Sequence, residues 1–236
     1  FSNYDLSAWK HYLQGRTFEE KKEQPLMYNE NQQYIHYNKG SLVLYALSDF
    51  IGEKKMNDAL KNYISKVAYQ EAPYTNSIEL VNELRAATPD SLQYVINDMF
   101  ETITLYDNRI EDVTSKKLPN GKYEVKINFE VAKYKANDDG KRVFKDKNGK
   151  TLTYKKKGEK YAVESYPLND YVEIGIFGEQ TIKDKKTEKE LYLKKVKVNK
   201  IDNSVTIIVN ENPIEVGVDP YNKLIDTQSD DNRRKI

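Results

Sequence analysis

The stretch Tyr34-Ile35-His36-Tyr37-Asn38-Lys39-Gly40-Ser41-Leu42-Val43-Leu44-Tyr45-Ala46-Leu47, running on to Phe50-Ile51-Gly52, decides how the first half of the chain folds. It joins a polar, aromatic entry to a long apolar run. Read as a helix, Val43, Ala46, Leu47 and Phe50 recur at i, i+3, i+4 and i+7 and share one face, which predicts that this face is buried. Tyr37 stands about two turns ahead of that face, near the helix start. Gly40, lacking a Cβ, is expected to let another backbone come close. A phenol at the mouth of a buried helix can donate a hydrogen bond to developing negative charge. The chain has 19 tyrosines, however, and the pattern alone favours a packing or surface ring at position 37.

Working outward, residues 4–14 predict a short amphipathic helix with Leu6, Trp9 and Leu13 on one side and Gly15 as its stop. His11 falls on another side and reads as a surface residue. The segment 16–23 reads as a solvated connector, and its Glu19, Glu20 and Glu23, with no histidine cluster nearby, as an ordinary charged loop rather than a metal site. Residues 53–68 carry the cleanest helical period, with Met56, Ala59, Leu60, Tyr63, Ile64 and Val67 inward. Pro73 interrupts the chain. Asn76 followed by Glu79 forms a capping signature for a helix to about Ala87, with Ile78, Leu80, Val81 and Leu84. Pro89 suits the first turn of another helix, whose inner face is Leu92, Val95, Ile96, Met99 and Phe100.

Near Thr102 the period changes from 3.6 to 2, and the domain boundary is placed there: 1–101 helical, 102–236 strands. Tyr123, Val125, Ile127, Phe129 and Val131 alternate with Glu124, Lys126, Asn128 and Glu130 as in a half-buried strand. Pro119-Asn120-Gly121-Lys122 and Lys147-Asn148-Gly149-Lys150 read as hairpin turns. Residues 171–177 form a further strand, while 191–198 and 204–209 are expected to pair across 200–203. From Asp219-Pro220 onward the chain reads as an irregular, polar tail. The expected architecture is α+β in two domains, an N-terminal α-helical bundle followed by an antiparallel β-sandwich of immunoglobulin-like type.

Composition narrows the function classes. The 236 residues can hold one large domain or two smaller ones, and 38% hydrophobic with 32% charged residues describes a soluble, polar-surfaced chain with mean hydropathy -0.83. A net charge of +1 gives no general pull toward nucleic acid. Lys155-Lys156-Lys157 and the lysines of 183–189, with Tyr154 and Tyr161 nearby, do not amount to a basic domain. Cysteine is absent, which removes disulfides and thiolate metal sites. No apolar run reaches the length of a membrane helix. Asn137-Asp138-Asp139-Gly140 and Asp146-Lys147-Asn148-Gly149 lack the order of a calcium loop and read as hairpin tips, and Asp230-Asp231 as part of a solvated tail.

Tyr37-Asn38-Lys39-Gly40 before an apolar helix resembles the Y-x-K-G segment of the aminopeptidase N-like zinc aminopeptidases, the gluzincin peptidases. Further parts of the chain resemble bacterial members: Gln24-Pro25-Leu26, the run 49–53, Pro73-Tyr74, the run 98–109 and the tail 219–226 with Asp230-Asp231-Asn232. The resemblance runs from about Tyr4 to Asn232. It implies that Tyr37 is the catalytic tyrosine, whose hydroxyl stabilises the oxyanion of a tetrahedral intermediate from an exposed, concave helical surface. It implies zinc in the full-length parent and a peptide as substrate. The metal motif H-E-x-x-H is begun by neither His11 nor His36. The chain therefore reads as the carboxy-terminal piece of a larger enzyme, starting within a longer polypeptide, inactive alone, binding no metal itself and partnered by an upstream zinc-bearing lobe. Some members carry membrane-spanning segments upstream. The alternative is a non-catalytic structural or protein- or glycan-binding module built on the sandwich, which calls for exposed aromatics on the sheets.

Overall fold

The computed structural model describes residues 8–143 and 165–236. The chain forms two compact units, one comprising Phe1–Thr104 with Lys135–Val143, the other Leu105–Tyr134 with Phe144–Ile236. Helices make up most of the first and antiparallel strands the second, so the class is α+β. The residues before Ala8, the turn 147–150, the acidic run 146–149 and the Tyr154–Tyr161 basic stretch lie outside the described residues.

The first unit contains α1 (Ala8–Phe18), α2 (Gly40–Ile51), α3 (Glu53–Val67), α4 (Ser77–Ala87) and the short α5 (Gln93–Ile96). Val43 and Leu47 from α2, Met56 and Ala59 from α3, Val81 and Leu84 from α4, and Val95, Ile96 and Phe100 share one apolar core. Burying each such side chain stabilises by about 1.5–3 kcal/mol before chain entropy is counted. Ile64, expected on the inner face of α3, is exposed, because its flank of the helix faces solvent. Asn76 caps α4 by accepting from the Glu79 N–H at 3.2 Å, and the Glu79 carboxylate accepts from the Thr75 hydroxyl at 2.8 Å. Gly15 does not stop α1, which continues to Phe18.

Two helical turns in this unit have π geometry, Tyr34–Lys39 leading into α2 and Asn97–Glu101 following α5. Thr102 Oγ1 donates to the Asn97 carbonyl at 3.0 Å. Asn137-Asp138-Asp139-Gly140 is a hairpin tip as its sequence predicts: the Gly140 N–H donates to Asn137 O at 2.9 Å, and Gly140 takes a φ of 75° that favours glycine.

In the second unit, β1 (Ile103–Lys117) and β2 (Tyr123–Ala136) are hydrogen-bonded neighbours joined by the predicted turn around Gly121. From Tyr123↔Val209 to Glu130↔Asp202, β2 also pairs with β6 (Asp202–Val209), while its last residues, Lys135 and Ala136, pair with β3 (Arg142–Val143) within the first unit. The other sheet runs in the order β5 (Lys185–Val198), β4 (Asp170–Ile182), β7 (Glu215–Val218), β8 (Arg233–Lys235). The expected β5–β6 hairpin is therefore corrected. β5 spends its length on β4, through a tight turn in which Lys183 and Asp184 both have positive φ, while β6 belongs to the first sheet.

The reading of the C-terminus as an irregular tail is corrected too. Val216, Val218, Asp219, Lys223, Leu224, Ile225 and Asp226 are all buried. Asp219 accepts hydrogen bonds from the Lys223 and Leu224 N–H groups at 3.1 and 2.8 Å, and Lys223 donates to Glu173 at 2.9 Å. A polar sequence is buried here because its polar atoms find partners. No helix among the described residues is long and apolar enough to cross a membrane.

Candidate functional site

Tyr37 projects from the π turn 34–39 and is 65% exposed, whereas Tyr34, Ile35 and Lys39 of the same turn are buried. The widened turn ends where the Gly40 N–H reaches back to Ile35 O. Such turns are rare and recur at functional sites because they rotate one side chain relative to the helix that follows. The Tyr37 ring lies 4.6 Å from the His36 ring, tilted by 50°. His36 Nδ1 is 3.2 Å from Asn29 Nδ2.

Tyr37 borders an open groove between this turn and α1. His11 and Phe18 line it from α1, and Tyr34 and Asn38 from the turn. Phe18 is 83% exposed, so two bare aromatic rings flank a groove floored by a buried one. The two segments come together at Gly15. A Cβ there would overlap the Cβ of Tyr34 and lie 2.8 Å from its Cγ. Gly15, not Gly40, is thus the close-approach glycine. A Cβ on Gly40 would meet only Ile35 O and a Leu26 methyl, both at an ordinary 3.7 Å.

Beneath the turn lies a cluster that corrects the view of 16–23 as a solvated connector. Glu23 is buried and accepts hydrogen bonds from the Tyr12 hydroxyl and from Arg16 Nε. Tyr12, fully buried, stacks on Tyr34 with centroids 5.9 Å apart. Burial pushes the Tyr12 hydroxyl well above its ordinary range, and the Glu23 carboxylate adds to this. The Tyr34 hydroxyl shifts upward for the same first reason. The loop itself is pinned by two amides. Gln32 donates to Lys22 O at 2.9 Å and accepts from the Gln24 N–H, and the Glu23 N–H donates to Asp138 O at 2.9 Å.

Lys39 completes the cluster. Its side chain is buried, Nζ lies 4.0 Å from Glu23 Oε1 and 5.2 Å from the Tyr12 ring centroid, and among the described residues it has no hydrogen-bond partner. Burial lowers its pKa to about 8, against the opposing pull of Glu23. In the sequence Glu23 reads as one of three loop carboxylates, and nothing there singles out Arg16 or Tyr12. A signal for Lys39 exists: it stands one turn after Ile35 and one before Leu42, on the inner stripe of the helix.

His11 is exposed, as expected. The two histidines, His11 and His36, do not gather with carboxylates, and no three His, Asp or Glu side chains among the described residues are grouped to hold a metal ion. The residues described therefore do not fit a zinc site. In chemical terms the site offers an exposed phenol donor, a neighbouring imidazole and amide groups along an aromatic groove. No model of a known protein family matches this chain, and no curated protein matches it.

Proposed function

We propose that this chain is the carboxy-terminal part of a zinc-dependent aminopeptidase of the gluzincin type, with Tyr37 as the group that donates a hydrogen bond to the oxyanion formed when a peptide bond is attacked. The observation that carries the reading is the presentation of Tyr37: an exposed phenol, on a π turn, at the rim of a groove, within a Y-x-K-G segment that opens an apolar helix. A donor already oriented before reaction stabilises developing charge without reorganisation, and loss of one such donor costs about 10²–10³ in turnover. Within the reading, the metal and its ligands come from an upstream lobe, and no step is assigned here to residues of this chain other than Tyr37. The second unit, which holds most of two four-stranded sheets, is taken as an immunoglobulin-like sandwich.

The sandwich-based binding module gains no comparable support. Among the described residues the exposed tyrosines are Tyr28, Tyr37, Tyr69 and Tyr74, all in the helical unit, and the exposed large apolar residues of the sheet unit are isoleucines.

The test uses the intact gene product with its metal. Tyr37→Phe should lower hydrolysis of an aminoacyl arylamide by about 10²–10³ with metal content unchanged. Unchanged hydrolysis would remove Tyr37 from the mechanism, and an intact gene product lacking both a histidine–glutamate metal signature and peptidase activity would remove the assignment.

A further inference from the structure

Two local costs meet in the six residues that present Tyr37. The turn adopts π geometry, which is rarely favoured over the α form. Its inner side also carries an ammonium group with no hydrogen bond among the described residues, at a position where methionine or leucine would fill the same space without desolvating a charge. Elsewhere the inner positions of this helix are apolar: Ile35, Leu42, Val43, Ala46 and Leu47. Departures from local preference of this kind concentrate where a site needs them.

Among the described residues, the charged or titratable groups close to Lys39 Nζ are Glu23 from the pinned loop and Tyr12 and Arg16 from α1. Glu23 already receives Tyr12 and Arg16, so Lys39 is not needed to satisfy it. What the ammonium does is tie the inner side of the turn to the α1–loop cluster by attraction to one carboxylate and one ring face. Tyr37 sits two residues away on the outer side.

We propose that Lys39 is a positioning residue for Tyr37: held by Glu23 and the face of Tyr12, its buried ammonium fixes the π turn in the register that aims the Tyr37 phenol along the groove. The claim about geometry stands alone; its consequence for turnover rests on the role proposed above for Tyr37. Lowered to about 8 by burial, the Lys39 pKa leaves the group predominantly charged at neutral pH, as the attraction requires.

The experiment places 4-fluorophenylalanine at position 37 of this chain, a ring with no ionisable group, and reads its fluorine resonance in otherwise native protein, in Lys39→Met and in Glu23→Gln. Turnover of the intact metal-loaded gene product is measured in parallel for Lys39→Met and Tyr37→Phe, each carrying its native residue elsewhere. Lys39→Met is expected to melt at or above the native temperature, to shift or broaden the resonance, and to lower turnover tenfold or more. Glu23→Gln should move the resonance as well, and it carries the test alone if Lys39→Met does not fold. An unmoved resonance in a folded Lys39→Met overturns the proposal and makes Lys39 a packing residue. A moved resonance with turnover indifferent to both Lys39→Met and Tyr37→Phe upholds the positioning and sinks the peptidase role instead.

Discussion

Buried lysines sit against carboxylates in both units, but on different terms. In the sheet unit, Lys133 Nζ lies 2.9 and 2.7 Å from the two oxygens of Asp170, and Lys223 Nζ 3.1 and 2.9 Å from those of Glu173. In the helical unit, Lys39 stops 4.0 Å short of Glu23 and makes no hydrogen bond among the described residues. Direct contact repays much of the cost of removing both charges from water; a 4.0 Å gap with no shared proton repays less. The sheet lysines are thus integral to their fold. Lys39 is a charge the helical core would be no worse without.

Substitution separates the two cases. Lys133→Met strands Asp170, which among the described residues keeps only the Tyr106 hydroxyl at 3.2 Å and a main-chain N–H at 3.1 Å, and an uncompensated buried carboxylate costs about 3–5 kcal/mol. Denaturant unfolding of the native chain and this variant should show that loss. Equal midpoints for Lys133→Met and the native protein would dissolve the contrast with Lys39→Met, for which no loss of stability is expected.

The sheet unit has its own buried charge that pairs with no cation among the described residues, and it sharpens the comparison by pH. Asp226 accepts from the Asn108 and Gln228 N–H groups, both at 2.8 Å, yet burial pushes its pKa up to about 7. Because the folded pKa lies above the unfolded one, the folded state holds the proton between about pH 4 and 7, and stability falls as pH rises through that window. The native protein should gain on Asp226→Asn as pH drops from 7 to 4, by no more than about 4 kcal/mol. Thermal melts at half-unit pH steps give the difference curve; a flat one would mean that the carboxylate is hydrated. Lys39 carries the mirrored sign. Its lowered pKa places a cost on the folded state below about pH 8 that is relieved as pH climbs toward the unfolded value.

How much of this could be read beforehand depended on whether the deciding partner was near in sequence. The inner faces of α2 and α4, the Asn76 cap, the strand at Tyr123 and the turns at Gly121 and Gly140 follow from period and local turn chemistry, and these were legible. The pairing of β6 with β2 was not, since strand partners are chosen by burial across some 80 residues and the intervening 200–203 looks like any tight turn. The C-terminal segment was misread because its polarity signals solvent unless one knows that Glu173 waits for Lys223. In the site, Tyr37 could be named by resemblance alone, and its π turn leaves no sequence period of its own. Glu23 looked like one of three loop carboxylates, and only the fold distinguishes it from Glu19 and Glu20.

Glycine offers the finest version of the same contrast, because one glycine is there for space and the other is not. At Gly15 a methyl group would collide with the Cβ and Cγ of Tyr34, atoms fixed by the backbone of the turn, so Gly15→Ala must push α1 away from it. Overpacking of that kind costs about 1–3 kcal/mol, and it should also disturb the Tyr12–Tyr34 stack. At Gly40 the backbone is ordinary right-handed helix, with φ -60° and ψ -46°, and the nearest atoms are 3.7 Å from an added Cβ. Gly40→Ala should therefore raise stability by about 0.5–1 kcal/mol, the amount by which alanine exceeds glycine inside a helix. Denaturation midpoints for the two variants moving in opposite directions would locate the close approach at α1. A loss at Gly40 of the same size as at Gly15 would instead mean that α2 has a neighbour pressed against its first turn, and the groove beside Tyr37 would have to be redrawn.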